Sequence, residues 1–322
     1  MTSDRLLEVS DLRLGFSTDR GLARVLDGVN LSIGRGRIMG LVGESGCGKT
    51  TLARAVLGVL APNARLESGT VRFDGLDLLG MDRARFESEV KGRRIAFVPQ
   101  DPYSALNPLF RVGDQIMELM KWKSPRRAPG EAGTGGLLTR SPRDRRRSDR
   151  EAVLALLSEI QIPDPERAMA KLPEQFSGGQ RQRLMIAMAM LTSPDLIIAD
   201  EPTTALDVTI QAQILKLLRS LAKTRGVSVL LTTHDLGTAY EICDEITVMY
   251  AGQEVETAPV ADFFASPRHP YTARLLESLP DPSRPLREIG GEIPSLVAPP
   301  IEGERQIVRC FHPLPAVPRE SA

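Results

Sequence analysis

The alternation of apolar and polar residues predicts strands in the first part of the chain. LLEVSDLRL, from Leu6, and VLDGVNLSI, from Val25, alternate as half-buried strands do. IMGLV, from Ile38, is wholly apolar and runs into glycine, which predicts a short buried strand. TTLARAVLGVL follows as a predicted helix, and GTVRFDG and IAFVPQ predict two further strands.

Over residues 101–193 the sequence pattern is typical of helices, with prolines between the helical segments. Inside this region, residues 124–150 contain eight arginines, several prolines and glycines, and almost no large apolar residue. Such a stretch is typical of a disordered surface insertion, because it cannot bury enough apolar area to fold. The alternative interpretation is a basic arm for nucleic acid or anionic lipid.

The pattern of alternating strands and helices returns after Pro194, where LIIA, VSVLLTT and ITVMY predict three buried strands. Beyond about Pro259 the chain is rich in proline and is predicted to be irregular. We therefore predict a main domain over residues 1–258, with a helical subdomain at residues 101–193, and a C-terminal extension over residues 259–322.

Composition and charge narrow the range of partners. The 41 basic and 41 acidic residues balance, so the whole chain gives no indication of a nucleic-acid or acidic-membrane partner. Cys47, Cys243 and Cys310 are far apart in the sequence, which predicts no disulfide framework and favours a reducing cytosol. We find no apolar N-terminal leader and no run of about 18 apolar residues, so no membrane span is predicted.

A glycine-rich loop lies between a predicted strand and a predicted helix. GESGCGKT, residues 43–50, fits the P-loop pattern G-x-x-x-x-G-K-[ST] in the context that this motif requires. Its backbone N–H groups and the helix N-terminus attract phosphate oxygens. Lys49 is expected to reach the β- and γ-phosphates and Thr50 to bind Mg²⁺. Cys47 is interpreted as a small residue that contributes its backbone N–H, rather than as a reactive thiol.

Polar residues follow three other predicted strands. Asp200 and Glu201 come after LIIA, and we expect Asp200 to hold Mg²⁺ and Glu201 to act as general base toward water. Gln100 ends IAFVPQ, where it can reach the metal and the water. His234 ends VSVLLTTH, and ligands of doubly wound sheets bind at such strand ends, which favours a γ-phosphate contact.

A second glycine-rich turn, SGGQ at residues 177–180, precedes a predicted helix but has no lysine at the corresponding place. Together these motifs resemble the ATP-binding subunit of an ABC transporter over residues 6–252. The matching motifs are Walker A (residues 43–50), the Q-loop (Gln100), the signature (residues 177–180), Walker B (residues 196–201), the D-loop (residues 205–207) and the switch histidine (His234). The resemblance implies a P-loop NTPase α/β core, an N-terminal antiparallel β subdomain, an inserted α-helical subdomain and a short C-terminal extension.

The resemblance also implies how the two turns work together. In this family two subunits pack head to tail, and each ATP lies between the P-loop of one subunit and the signature of the other. Hydrolysis then removes the γ-phosphate contacts and lets the dimer open. The nucleotide-binding residues implied are Gly43, Glu44, Ser45, Gly46, Cys47, Gly48, Lys49, Thr50, Thr51, Phe16 (against adenine), Ser177, Gly178, Gly179, Gln180 and Asp207. The implied metal ligands are Thr50, Gln100 and Asp200, and the catalytic residues are Glu201, His234 and Gln100.

Further segments resemble the ATPases of oligopeptide, dipeptide and nickel importers. These are VPQDPYSALNP, QRQRLMIAMAM, ADEPTTALDVTIQAQI and, in the extension, FFASPRHPYTARLLESLP. Many relatives carry a cysteine cluster in that extension, but here only Cys310 is present, so no iron–sulfur cluster is expected. The Arg-rich insertion is longer than the family usually has.

The resemblance implies an ATPase on the cytoplasmic face of the inner membrane, with ATP and Mg²⁺ as cofactors, that powers the import of peptides or a related small solute. Nickel, opines and glutathione are the alternative cargoes. Its expected partners are a second ATPase subunit, two separate transmembrane permeases and, indirectly, an extracytoplasmic solute-binding protein, with no nucleic acid. The segment MIAMAM resembles the first of the two paired ATPases that such importers often use, which favours a heterodimer over a homodimer. One alternative is an ABC ATPase that acts on DNA or ribosomes, but the chain has one cassette and no sustained heptads. The other alternative is a regulator that binds ATP without hydrolysing it, and the presence of Glu201 and His234 disfavours it.

Overall fold

A computed structural model describes residues 4–126, 142–204 and 206–279. The chain divides into two compact units. The first unit is formed by Met1–Met81 together with Leu230–Ala322, and the second by Asp82–Val229. None of the described helices combines the length and the apolar character that crossing a membrane requires.

The first unit contains an antiparallel sheet near the N-terminus. Its strands are β1 (Arg5–Thr18), β2 (Gly21–Gly34), β4 (Ala64–Phe73) and β5 (Leu76–Asp77), in the order β2-β1-β4-β5. The two segments predicted from alternation are β1 and β2. These two strands continue to a tight turn after Thr18, and Phe16 pairs with Ala23 close to that turn.

The first unit also contains a second group of strands, which position the P-loop. β3 (Ile38–Val42) pairs in parallel with β9 (Glu245–Tyr250), and β10 (Gln253–Pro259) pairs antiparallel with β9. Every residue of β3 is buried, as its apolar pattern predicts. Asp244 fixes where β3 begins, since its Oδ2 accepts from Ile38 N at 2.9 Å and its N–H donates to Ile38 O at 2.8 Å. The helices α1 (Lys49–Val56) and α9 (Leu236–Ile242) follow β3 and precede β9 along the chain.

Two helices follow β10, where the proline content predicts irregular chain. α10 (Val260–Ala265) buries Phe263, and α11 (Pro270–Glu277) buries Thr272 and Leu275. The prediction is wrong for this segment because Pro270 occupies the first turn of α11, where a missing N–H and a fixed φ suit a helix. The rest of the extension, including Cys310, lies outside the described residues.

The second unit combines two parallel strands, β6 (Ile95–Val98) and β7 (Leu196–Asp200), with helices. Arg94 and Asp195 align the strand beginnings, because Arg94 Nε donates to Asp195 Oδ2 at 2.6 Å and Asp195 N donates to Arg94 O at 2.9 Å. β8 (Ser228–Thr233) contains the boundary between the units. The helices are α2 (Arg83–Arg85), a π-helical turn (Phe86–Val90), α3 (Pro102–Ala105), α4 (Val112–Lys123), α5 (Arg143–Glu159), α6 (Pro165–Met169), α7 (Gly178–Leu191) and α8 (Val208–Arg225).

The Arg-rich stretch is ordered at both of its described ends. Residues 127–141 lie outside the described part, but residues 143–150 form the first half of α5, so the expectation of disorder is wrong for them. The reason is the carboxylate of Asp149, of which only 1% is exposed. Its Oδ1 accepts from Ser124 Oγ at 2.6 Å, and Arg126 and Arg145 each approach it to 3.7 Å.

Replacing Asp149 with alanine is expected to destabilise the chain by about 2 to 4 kcal/mol. The substitution leaves the buried Ser124 hydroxyl and the half-buried Arg145 without the carboxylate that compensates them. The loss is measured as the change in free energy of unfolding in urea. Asp144→Ala is the matched control, because Asp144 is exposed in the first turn of the same helix. Equal losses in the two variants would contradict the role assigned to Asp149.

Candidate functional site

The P-loop joins β3 to α1, and two of its glycines are required by close neighbours. A Cβ on Gly43 would lie 2.3 Å from Met249 O, the carbonyl of the penultimate residue of β9. Gly48 caps α1 with φ 110°, and a Cβ there would lie 2.9 Å from Leu26 Cδ2. Both backbones therefore approach their neighbours more closely than any other residue allows.

Lys49 is the buried cation of this loop, with 5% of the residue exposed. Its Nζ donates to Gly43 O at 2.7 Å and to Glu44 O at 2.9 Å, so the ammonium group lies inside the curve of the loop. Cys47 is also buried, and this burial raises the pKa of its thiol although Lys49 acts in the opposite direction. The thiol therefore stays protonated at neutral pH, which favours the interpretation of Cys47 as a small residue of the loop.

Gln100 and Glu201 meet in the second unit, beside the ends of β6 and β7. Gln100 Nε2 donates to Glu201 Oε2 at 3.1 Å, and Thr204 Oγ1 donates to the same oxygen at 3.0 Å. The two donors orient the carboxylate, as a general base requires. Thr204 was not predicted from the sequence. The sequence signal that could have indicated it is its place three residues after Glu201. The structure forms a turn there, in which Thr204 N donates to Glu201 O at 3.3 Å.

Asp200 and Glu201 have different environments. Asp200 is the last residue of β7 and is 6% exposed, whereas Glu201 begins the following turn with φ 43°. A positive φ is uncommon for a residue with a side chain and is frequent at functional sites. This difference in burial and backbone conformation suits the separate roles expected of the two carboxylates.

The signature turn is built by a reciprocal cap. Gln180 N donates to Ser177 Oγ at 3.3 Å, and Ser177 N donates to Gln180 Oε1 at 3.1 Å. This capping box begins α7, a helix of 14 residues, and sets Gly178 and Gly179 in its first turn, where the helix dipole is positive. A Cβ on Gly179 would lie 2.6 Å from Ile210 Cγ2 of α8.

The remaining predicted site residues are His234, Asp207 and Phe16. His234 is exposed and directly follows β8. Asp207 is exposed and its Oδ1 accepts from Ile210 N at 3.0 Å, so this carboxylate caps α8. Phe16 is half-buried on β1. The P-loop, His234 and Phe16 belong to the first unit, whereas the Glu201 group, Asp207 and the signature belong to the second.

Comparison with known proteins shows which protein family carries this set of motifs. The profile of the ABC transporter family matches residues 26–204. A probable peptide ABC transporter ATP-binding protein, y4tR of Sinorhizobium fredii, is 44% identical over 302 residues, which cover 92% of this chain and 84% of the relative. The chain belongs to the ABC transporter family. The resemblance of the motifs is thereby confirmed.

A further relative of this ABC ATPase is also named as a transport ATP-binding protein. The dipeptide transport ATP-binding protein DppD of Bacillus subtilis is 40% identical over 301 residues, covering 92% of this chain and 84% of the relative. A second profile, the C-terminal region of oligopeptide/dipeptide transporters, matches residues 255–313. It confirms the predicted resemblance of the extension.

Solved structures confirm the cassette fold. The dimeric post-hydrolysis state of the ATP-binding cassette MJ0796, bound to ADP and Pi, has a TM-score of 0.64 and 25% identity, covering 79% of this chain and 99% of that one. CbiO1 of Clostridium perfringens has a TM-score of 0.65 and 27% identity, covering 82% and 92%.

Proposed function

We propose that this ABC ATPase hydrolyses ATP to power the import of peptides or a related small solute through separate membrane subunits. The observation that supports this most is the presence of both matched regions in one chain: the cassette at residues 26–204 and the oligopeptide/dipeptide C-terminal region at residues 255–313. The cassette supplies the ATPase, and the extension distinguishes this chain from cassettes in general. The relatives named for peptide and dipeptide transport support the same cargo class.

In this proposal the P-loop and the signature bind one nucleotide from two subunits. The backbone N–H groups of residues 43–50 and the ammonium of Lys49 bind the phosphates, while Thr51 extends the site along α1 and Phe16 stacks on adenine. The first turn of α7, with Ser177, binds the γ-phosphate of the nucleotide held by the second subunit. His234, directly after β8, contacts the γ-phosphate of the nucleotide that the P-loop of its own chain binds.

The donor set fits a magnesium ion. Thr50 offers a hydroxyl, Asp200 a buried carboxylate and Gln100 an amide oxygen, and Mg²⁺ prefers oxygen ligands. When bound, the ion neutralises charge on the phosphate oxygens. Gln100 donates through its nitrogen to Glu201, so its oxygen is directed away from that contact. Glu201, oriented by Gln100 and Thr204, accepts the proton of the attacking water.

The family to which the chain belongs supports a proposal about its partners. We propose a dimer with a second ATPase subunit at the cytoplasmic face of the inner membrane, docked on two permeases that a solute-binding protein supplies with cargo. The helical region after Gln100 contacts the cytoplasmic loops of the permeases. Exposed apolar side chains in that region are compatible with docking, since Leu109 is 83% and Phe110 is 56% exposed.

The test is co-purification from the native host. Tagged Glu201→Gln chain is recovered from solubilised membranes in Mg-ATP, with Lys49→Ala as the variant whose nucleotide binding is weakened. We expect two polytopic membrane proteins and a second ATPase, the ATPase being lost with Lys49→Ala. Recovery of nucleic acid or ribosomal proteins, with no membrane protein, would reject the transporter. Uptake of a labelled tripeptide and of nickel by a deletion strain then identifies the cargo class.

A further inference from the structure

Arg181, the residue directly after the signature turn, is held by two segments that lie outside α7. Its Nε donates to Pro173 O at 2.9 Å, in the 3-10 turn Pro173–Gln175 that precedes the signature. Its guanidinium lies over the face of the Tyr103 ring on α3, with Cζ 4.0 Å from the ring centroid. A cation at this distance is attracted by the negative face of the ring. The side chain of Arg181 therefore joins the beginning of α7 to the segment that follows Gln100.

The place of Arg181 in α7 explains why its side chain needs these two contacts. The helix begins at Gly178, so Arg181 is its fourth residue. A cation so close to a helix N-terminus is disfavoured by the positive end of the helix dipole. The carbonyl of Pro173 and the ring of Tyr103 offset this repulsion. The two contacts thus keep a positive charge beside the turn that, in the proposed function, binds a γ-phosphate.

Tyr103 also lies beside the signature turn itself. A Cβ on Gly178 would lie 3.5 Å from the Tyr103 hydroxyl oxygen and 3.4 Å from Leu206 Cδ2, so this glycine is flanked by both side chains. The backbone of Tyr103 is fixed, because its N–H donates at 2.8 Å to Oδ1 of Asp101, which caps α3. Tyr103 therefore provides a fixed surface against which the turn and Arg181 both pack.

We propose that Tyr103 is a positioning residue for the signature turn and acts through Arg181. This role rests on the proposed function, in which the first turn of α7 binds the nucleotide held by the second subunit. The ring face holds the guanidinium beside the turn, where its charge adds to the helix dipole acting on the phosphate. Because the turn acts on the nucleotide of the second subunit, Tyr103 strengthens the ATP-dependent association of the two subunits. It does not change the ATP affinity of the P-loop in its own chain.

The test measures how tightly the chain, carrying Glu201→Gln, associates in Mg-ATP with its second ATPase subunit, either a copy of itself or the subunit recovered by co-purification. Tyr103→Leu keeps an apolar side chain but removes the ring. We expect it to raise the dissociation constant by about 2- to 5-fold, the scale of one exposed cation–π contact. Tyr103→Phe keeps the ring face and is expected to associate as the parent does. Binding of a fluorescent ATP analogue by the isolated chain, and the midpoint of urea unfolding, stay unchanged in both variants.

Tyr240→Leu is the matched control for Tyr103→Leu, because Tyr240 on α9 is 59% exposed and Tyr103 is 56% exposed. We expect the control to keep the parental dissociation constant. Parental association of Tyr103→Leu would overturn the proposal. An equal loss in Tyr103→Phe would also overturn it, since the effect would then come from the hydroxyl. The same holds for a loss that accompanies weaker binding of the ATP analogue or a lower unfolding midpoint.

A double-mutant cycle with Arg181→Met tests whether Tyr103 acts through Arg181. If it does, the double variant associates no more weakly than the weaker single variant, and fully additive losses would reject this route. The parent chain separates the two levels of inference. If it associates with no second ATPase subunit in Mg-ATP, the proposed two-subunit site itself is wrong. If it associates and Tyr103→Leu does so equally well, that site stands and only the role of Tyr103 fails.

Discussion

Replacing Glu201 with glutamine is expected to lower ATP turnover by roughly 10²- to 10⁴-fold, the usual contribution of a general base, while nucleotide binding is retained. Glutamine has nearly the shape of glutamate but cannot take a proton from water. Its amide can still meet Thr204 and Gln100, so the local structure is expected to survive. Turnover is measured as steady-state phosphate release at saturating Mg-ATP, and binding by titration with a fluorescent ATP analogue.

A control for the Glu201 variant separates loss of the base from loss of a negative charge. Glu151→Gln removes the same charge from an exposed position on α5, where Glu151 is paired only with the exposed Arg147 at 3.1 Å among the contacts described. We expect wild-type turnover in that variant. Full turnover in Glu201→Gln would remove Glu201 from the mechanism. Loss of both turnover and binding would instead give the carboxylate a role in nucleotide binding.

Replacing Lys49 with alanine is expected to weaken nucleotide binding by about 10- to 100-fold, the scale of one charge-assisted hydrogen bond. The variant loses a buried ammonium group that contacts the carbonyls of Gly43 and Glu44, and so it loses both the charge that phosphate needs and an organising centre of the loop. Binding is measured by calorimetric titration with Mg-ATP. ATP turnover falls with it.

The matched control for Lys49→Ala is Lys216→Ala, since Lys216 is an exposed lysine on α8. This control is expected to bind Mg-ATP as the native chain does. Because Lys49 is buried, the thermal unfolding of both variants is compared in the absence of nucleotide, so that a folding defect is distinguished from a binding defect. Unchanged ATP binding in a folded Lys49→Ala variant would contradict the assignment of the P-loop.

The Lys49 and Glu201 variants test two parts of the proposed site by different measurements, nucleotide affinity and ATP turnover. Lys49 belongs to the loop that binds nucleotide, so its loss is expected in affinity. Glu201 belongs to the group with Gln100 and Thr204, and its loss is expected in the rate of the chemical step. Similar kinetic defects in both variants would show that binding and chemistry are not separable in this way.

The sequence alone predicted the features that depend on near neighbours in the chain. Alternation predicted β1 and β2, and a wholly apolar run predicted β3. These predictions were possible because the burial of one or both faces of a strand determines which neighbouring residues are apolar. The P-loop and the signature are each contiguous, so their chemistry was visible before any contact was known. The family assignment followed from the order of these motifs, and the comparisons confirmed it.

Only the tertiary structure decided the features that join distant segments. Gln100 and Glu201 are 101 positions apart, and their hydrogen bond has no local signal in the sequence. The helical start of α5 depends on the contact of Asp149 with Ser124, which is 25 positions away. The contact between the rings of Tyr250 and Tyr271 likewise joins α11 to the end of β9. A local pattern reports which side of an element is buried, but the partner of a buried polar group is determined by how the chain folds back on itself.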